Sequence, residues 1–106
     1  MIEKKIKQKP KKIFGMINTF SKKTILITGG TGSFGTAMTE RLINTKVSEI
    51  RIFSRDEKKQ DDMRKEFADN RIKFYLGDIR DEKSVDNVMK NVDYIFHAAA
   101  LKQVPS

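Results

Sequence analysis

Two periods of apolar and polar positions alternate along the chain. Ile25-Leu26-Ile27, flanked by Thr24 and Thr28, is a short β-branched run of strand length that breaks into glycines. Behind the glycines, Phe34, Ala37, Met38, Leu42 and Ile43 recur at spacings of three and four, with Thr39, Glu40 and Arg41 between them. That spacing predicts a helix ending near Asn44 or Thr45. Ile50-Arg51-Ile52-Phe53 predicts a second strand that ends at Ser54. Asp56 then suits an N-cap, with acidic Glu57 in the first turn of a second helix running through Gln60, Met63, Arg64, Phe67 and Ala68. This helix is strongly charged with a thin apolar stripe, the pattern of an element that covers one sheet face and exposes the rest. Ile72-Lys73-Phe74-Tyr75-Leu76 predicts a third strand, stopped by Gly77-Asp78. Asp81 caps a third helix with Val85, Val88 and Met89 on one side, closed by Asn91. Val92 to His97 makes a fourth strand, which runs into Ala98-Ala99-Ala100.

Strands that alternate with helices need crossover connections, and right-handed crossovers give a parallel sheet covered on both faces. The expectation is an α/β, Rossmann-type parallel sheet, incomplete at about four strands and three helices. With 106 residues the chain holds one small core and is shorter than most complete dinucleotide-dependent enzymes. It stops at Val104-Pro105-Ser106 directly after a strand of buried character, which reads as part of a larger enzyme.

Charge divides the chain in two. Lys4, Lys5, Lys7, Lys9, Lys11 and Lys12 against Glu3 put +5 of the formal +8 into the first 15 residues. Residues 1 to 21 therefore read as a basic, mobile extension, and residues 22 to 106 as the folded part. The extension has neither interleaved aromatics nor an amphipathic stripe, so a solvated tail is favoured over a nucleic-acid or membrane contact. Met16 also offers an alternative start. No cysteine is present, which removes disulfides and thiolate metal sites and fits a cytoplasmic protein. No apolar run reaches the length of a membrane span.

Four of the six glycines fall between Gly29 and Gly35. Gly29, Gly32 and Gly35 stand three residues apart, between a β-branched strand and an amphipathic helix. A turn there must be tight, must let the backbone approach a pyrophosphate and must let the helix pack near the strand. The backbone N–H groups of Ser33 and Phe34 open the helix toward that pyrophosphate, and the hydroxyls of Thr31 and Ser33 add hydrogen bonds. At the end of the second strand, where a dinucleotide's adenosine ribose is held, the order is Ser54-Arg55-Asp56 with Lys58 and Lys59 behind. A planar guanidinium on Arg55 and a point charge on Lys59 suit a 2'-phosphate, so NADP is favoured over NAD; Asp56 is the residue that would serve NAD instead, and a merely solvated helix start is the bland reading. Asp78 and Ile79 follow the third strand as an acceptor for the adenine amino group and an apolar contact, or as a plain capped turn. Small residues at 98 to 100 allow the backbone to run beside the ribose and nicotinamide. His97, the single histidine, lies on a buried pattern and reads as a packed residue. Lys102 faces either the substrate region or solvent.

Thr28-Gly29-Gly30-Thr31-Gly32-Ser33-Phe34-Gly35, Phe53-Ser54-Arg55-Asp56-Glu57-Lys58-Lys59-Gln60, Gly77-Asp78-Ile79-Arg80-Asp81 and His97-Ala98-Ala99-Ala100-Leu101-Lys102-Gln103-Val104-Pro105 together resemble the extended short-chain dehydrogenase/reductase family. More narrowly they are similar to its polysaccharide-biosynthesis branch, the UDP-N-acetylglucosamine 4,6-dehydratases and related epimerases. The resemblance covers about residues 22 to 106. It implies a tightly held NADP that oxidises a UDP-sugar at carbon 4, and a homo-oligomer for the intact enzyme. It also implies pyrophosphate contacts from Gly29, Thr31, Gly32, Ser33, Phe34 and Gly35. Ser54, Arg55 and Lys59 would take the 2'-phosphate, Asp78 and Ile79 the adenine, and Ala98, Ala99, Ala100 and Lys102 the nicotinamide side. The family's Tyr-x-x-x-Lys or Met-x-x-x-Lys pair has no counterpart here: four residues after Tyr75 stands Ile79, and four after Tyr94 stands Ala98. No catalytic and no metal residue is therefore assigned in this chain. A non-catalytic nucleotide-binding module is the rival reading.

Overall fold

A computed structural model describes residues 19–98. The lysine-rich segment up to residue 18, and Ala99, Ala100 and Lys102, lie outside the described residues. The elements run β1 (Thr24–Thr28), α1 (Ser33–Leu42), β2 (Glu49–Ser54), α2 (Glu57–Phe67), β3 (Ile72–Leu76), α3 (Glu82–Met89) and β4 (Tyr94–His97). All pairings are parallel, and the sheet order is β3-β2-β1-β4. This is the expected Rossmann-type α/β arrangement. The chain steps outward from β1 to β2 to β3, then returns to pair β4 on the other side of β1.

Alternation along the strands sorts the core into two layers. Ile25 and Ile27 of β1, Ile50 and Ile52 of β2, Ile72 of β3 and Phe96 of β4 point to one face, where Leu42 and Met38 of α1 and Met63 and Phe67 of α2 cover them. Leu26, Phe53 and Ile95 point to the other, against Val85, Val88 and Met89 of α3. Ile25, Leu26 and Ile27 are completely buried, so β1 is the apolar spine of both layers. Each of these side chains contributes about 1.5–3 kcal/mol by leaving water. Phe20 closes the first layer edge-on against Tyr94 and Phe96.

Helix starts follow the acidic caps. Asp56 accepts from the Lys59 N–H at 3.0 Å, and Asp81 accepts from the Lys83 N–H at 3.2 Å. Helix ends differ from expectation. α1 stops at Leu42, because Thr45 folds back and its hydroxyl donates to the Leu42 carbonyl at 2.6 Å. α3 ends at Met89, and Asn91, with φ 61°, turns the chain in the left-handed region before β4 begins at Tyr94 rather than Val92.

Two arginines tie the loops at the strand N-termini. Arg71 donates to the carbonyls of Ile43 (2.8 Å), Thr45 (3.1 Å) and Val47 (3.4 Å), and is itself held by Asp69 at 2.8 and 3.0 Å. Arg51 donates to the carbonyls of Val88 and Lys90, both at 2.8 Å, and so caps the C-terminus of α3. No helix among the described residues is long and apolar enough to cross a membrane.

Hydrogen bonds from the Arg71 side chain and N–H hold the Asp69 carboxyl below its ordinary value of 3.8. The folded state therefore binds this proton more weakly than the unfolded chain; the stabilisation is full above 3.8 and is lost as the pH falls below it toward the folded value. Arg71→Ala is expected to lower unfolding free energy at neutral pH by about 1–3 kcal/mol, because three carbonyls lose their donor. Asp69→Asn is expected to flatten the acid limb below about pH 4. Urea titrations across pH measure both.

Candidate functional site

The sheet order reverses between β1 and β4, and the C-terminal ends of the strands converge on that crevice. In open parallel sheets this is where ligands sit. The loop after β1 is the glycine turn. Gly29 has φ 69°, a left-handed value that only glycine adopts without strain, and its N–H donates to the Phe53 carbonyl at 2.8 Å. Gly35 lies in the first turn of α1 against Gly30: a Cβ on Gly35 would stand 2.4 Å from the Gly30 carbonyl oxygen. Since the obstacle is backbone rather than a flexible side chain, it cannot swing aside. Gly30 is likewise closed in, with Ile52 Cγ2 2.9 Å from where its own Cβ would be. The first turn of α1 and the glycine turn thus pack backbone against backbone.

Gly32 is the N-cap of α1 and has no side chain to offer the first-turn N–H groups, in contrast to Asp56 and Asp81 at the other two helices. Ser33 and Phe34 follow it at the exposed end, with Phe34 40% exposed, and Thr31 is partly exposed in the turn. The pyrophosphate residues expected from the sequence therefore form one continuous turn. A helix N-terminus lacking a side-chain cap favours an anion there.

The ends of β2 and β3 are joined next to it. The Gly77 N–H donates to the Ser54 carbonyl at 3.0 Å, and Gly77 rests on the Phe53 ring, which would lie 2.6 Å from a Cβ at that position. Gln60, buried on α2, completes the joint: its Nε2 donates to Tyr75 O at 2.8 Å and to Ser54 Oγ at 3.1 Å. Sequence reading ran this helix through Gln60 without giving it a role, and no local signal marks the joint. Ser54 is buried and its hydroxyl is engaged toward α2. Arg55 and Lys59 project outward, and the Arg55 side chain is 70% exposed.

The β2–β3 joint brings Arg55 and Asp78 together, with Arg55 Nη1 3.7 Å from Asp78 Oδ2. Asp78 is chelated more closely by Arg80, whose Nε donates to Oδ1 at 3.1 Å, whose Nη2 donates to Oδ2 at 2.8 Å, and whose backbone N–H donates to Oδ1 at 2.9 Å. Those bonds, with the charge of Arg55 as a smaller contribution, hold the Asp78 carboxyl well below the usual carboxylate range. Arg80, which the sequence reading left without a role, is the nearest partner of Asp78. Ile79 is exposed beside it.

On the far side of the crevice, Thr28 Oγ1 and His97 Nδ1 are 3.0 Å apart, linking the ends of β1 and β4. His97 is partly buried, and burial pushes its imidazole below 6.5. It is a packed residue bonded across the switch point. Ala98 is buried directly after it. Among the described residues no cluster of His, Asp and Glu could hold a metal ion.

The family profile described as "Polysaccharide biosynthesis protein" matches residues 25–106. UDP-glucose 4-epimerase of Rickettsia canadensis (strain McKiel) is 59% identical over 91 residues, an alignment covering 82% of this chain and 27% of that protein. UDP-glucose 4-epimerase of Rickettsia prowazekii (strain Madrid E) is 56% identical with the same coverage. The chain thus spans 27% of the length of these curated relatives. Among solved structures, Pen from Bacillus thuringiensis is 40% identical with a TM-score of 0.71, covering 74% of this chain and 24% of that one. The Bordetella bronchiseptica enzyme WbmF, solved with NAD+ and UDP, shares the fold at 18% identity and a TM-score of 0.60, covering 74% of this chain and 23% of that one. With its four parallel strands, its glycine turn at the switch point and a family profile that runs from β1 to residue 106, the chain belongs to the polysaccharide biosynthesis protein family of nucleotide-sugar epimerase- and dehydratase-like proteins.

Proposed function

We propose that this chain is the NADP-binding portion of a nucleotide-sugar 4-epimerase or 4,6-dehydratase, with a UDP-hexose of the glucose or N-acetylglucosamine type as the intact enzyme's substrate. In this reading residues 22 to 106 are the cofactor-binding part, and the catalytic acid–base groups belong to the remainder of the enzyme. The observation that carries it is Arg55, an exposed guanidinium at the C-terminal end of β2, where the ribose of a bound dinucleotide lies.

The residues fit the group. The Gly30–Gly35 contact packs the turn against α1 with no room for a Cβ, and α1 opens at that turn with first-turn N–H groups that no side chain caps. Those groups bind a pyrophosphate without a charged side chain. Arg55 and Lys59 supply positive charge beside the ribose, and Asp78 with Ile79 borders the adenine position. A bound nicotinamide cofactor would supply hydride transfer at carbon 4 of the sugar. On this chain's side, the small residues Ala98, Ala99 and Ala100 would leave room for that ring, and Lys102 is the polar residue assigned to it. The curated relatives carry the name UDP-glucose 4-epimerase, and WbmF was solved with NAD+ and UDP, both of which support a UDP-sugar and a nicotinamide cofactor. A soluble, cytoplasmic homo-oligomer is the form proposed for the intact enzyme.

Calorimetric titration of the full chain with NADP and NAD tests the assignment. NADP is expected to bind more tightly, and Arg55→Ala is expected to remove about tenfold of that preference while leaving NAD affinity nearly unchanged, since a charge-assisted contact to phosphate is worth roughly 1.5–3 kcal/mol. Equal affinity for the two cofactors, insensitive to the substitution, overturns the 2'-phosphate assignment. Gly35→Ala is expected to abolish binding of both, because its methyl group collides with the Gly30 carbonyl. It is also expected to cost about 1–3 kcal/mol of stability, read by thermal unfolding.

A further inference from the structure

The carboxylate of Asp78 has two guanidinium neighbours, and they are not equivalent. An ionised carboxylate offers about four acceptor sites. Arg80 fills three of them: its backbone N–H and Nε on Oδ1 at 2.9 and 3.1 Å, and its Nη2 on Oδ2 at 2.8 Å. The fourth site, on Oδ2, is the one nearest Arg55, whose Nη1 stands 3.7 Å away. That separation is an ionic contact and lies outside hydrogen-bond distance. Arg55 is therefore drawn toward Asp78 without having its donors spent on it.

A free carboxylate in this position would behave differently. Arginine and carboxylate form paired, parallel hydrogen bonds when both oxygens are available, and an Arg55 fork closed on Asp78 would present neither its donors nor an uncompensated charge to an incoming phosphate. With both oxygens already held by Arg80, that paired geometry is blocked.

Resting on the reading of Arg55 as the 2'-phosphate contact, we propose that Arg80 is a positioning residue that sets cofactor preference: by chelating Asp78 it prevents that carboxylate from capturing Arg55 and so reserves the Arg55 fork for the phosphate. Arg80 itself does not touch the phosphate. When NADP enters, Arg55 turns to the phosphate, and the fourth acceptor site of Asp78, which no Arg55 hydrogen bond fills, receives the adenine amino group. The local charge balance favours this exchange, since two guanidiniums face one carboxylate and the excess positive charge is the phosphate's counterion.

The experiment measures the ratio of NADP to NAD affinity by calorimetry on the full chain and on four variants, with circular dichroism to check folding. Arg80→Gln is expected to lower the ratio about tenfold, chiefly through weaker NADP binding. Arg80→Lys, which keeps the charge but loses the two-pronged hold, is expected to lower it as well. Adding Asp78→Asn to Arg80→Gln removes the competing anion and is expected to return the ratio toward that of the unaltered chain. The proposal is overturned if Arg80→Gln reduces both affinities equally, if Arg80→Lys retains the original ratio, or if the double variant stays as low as the single one. Arg55→Ala separates the two levels. A ratio that Arg55→Ala leaves unchanged, or failure of either cofactor to bind, sinks the 2'-phosphate reading itself. A ratio that falls with Arg55→Ala and not with Arg80→Gln sinks only the role of Arg80. Arg80 is exposed, so these variants keep the fold.

Discussion

Much of the arrangement hangs on Phe53, the second-last residue of β2. Its carbonyl oxygen accepts the Gly29 N–H, which pins the glycine turn to the neighbouring strand, while its ring lies under Gly77 and fixes where β3 gives way to the Asp78 turn. One residue thus spaces the glycine turn, the Arg55 corner and the Asp78 corner relative to one another. The ring is completely enclosed between the sheet and α3, so the three corners have no soft joint between them. Gln60 supplies the same rigidity from the opposite face by donating to both β2 and β3. A site made of surface loops obtains its geometry from two buried residues on opposite sides of the sheet.

The division of labour between the two faces follows from the same alternation. Among the described residues, the first layer, under α1 and α2, holds most of the buried apolar side chains; the second has only Leu26, Phe53 and Val88 enclosed, under the single helix α3. Arg51 compensates on that thinner side by binding the carbonyls at the end of α3, a polar contact where apolar area is scarce. Arg71 does the same for the loop after α1. Guanidiniums that satisfy several carbonyls at once act as fasteners at helix ends, where backbone acceptors otherwise need water.

Strand and helix identities were legible in the residues because each element carries its own period and its own cap. Asp56 and Asp81 cap as their position ahead of charged helices implied, and the alternation of Ile50, Arg51, Ile52 and Phe53 sorts to two faces as read. The glycine turn was legible because two of its positions need glycine: Gly29 takes a left-handed φ, and a Cβ on Gly35 would collide with the Gly30 backbone. What stayed hidden depends on partners distant in the chain. Nothing local to Arg51 announces that it binds carbonyls 37 and 39 residues later, and nothing local to Gln60 announces Tyr75, 15 residues on. The pairing of Arg80 with Asp78 spans only two residues, yet a generic turn has the same composition, and its meaning appears only once the β2–β3 joint brings Arg55 alongside. The end of α1 ran short of its apolar pattern because Ile43 continues the stripe in a turn held by the Thr45 hydroxyl.

The contact between Thr28 and His97 spans 69 residues, and it lies at the end of the pairing between β1 and β4. During synthesis the most apolar strand of the sheet emerges first and gains its neighbour β2 early, but its other edge stays unpaired until the fourth strand leaves the ribosome. For that interval the nascent chain presents an open, hydrophobic parallel edge. Contacts of such long range are slow to close and leave intermediates prone to association. Among the described strands, the β1–β4 junction that borders the crevice is therefore the last to be built.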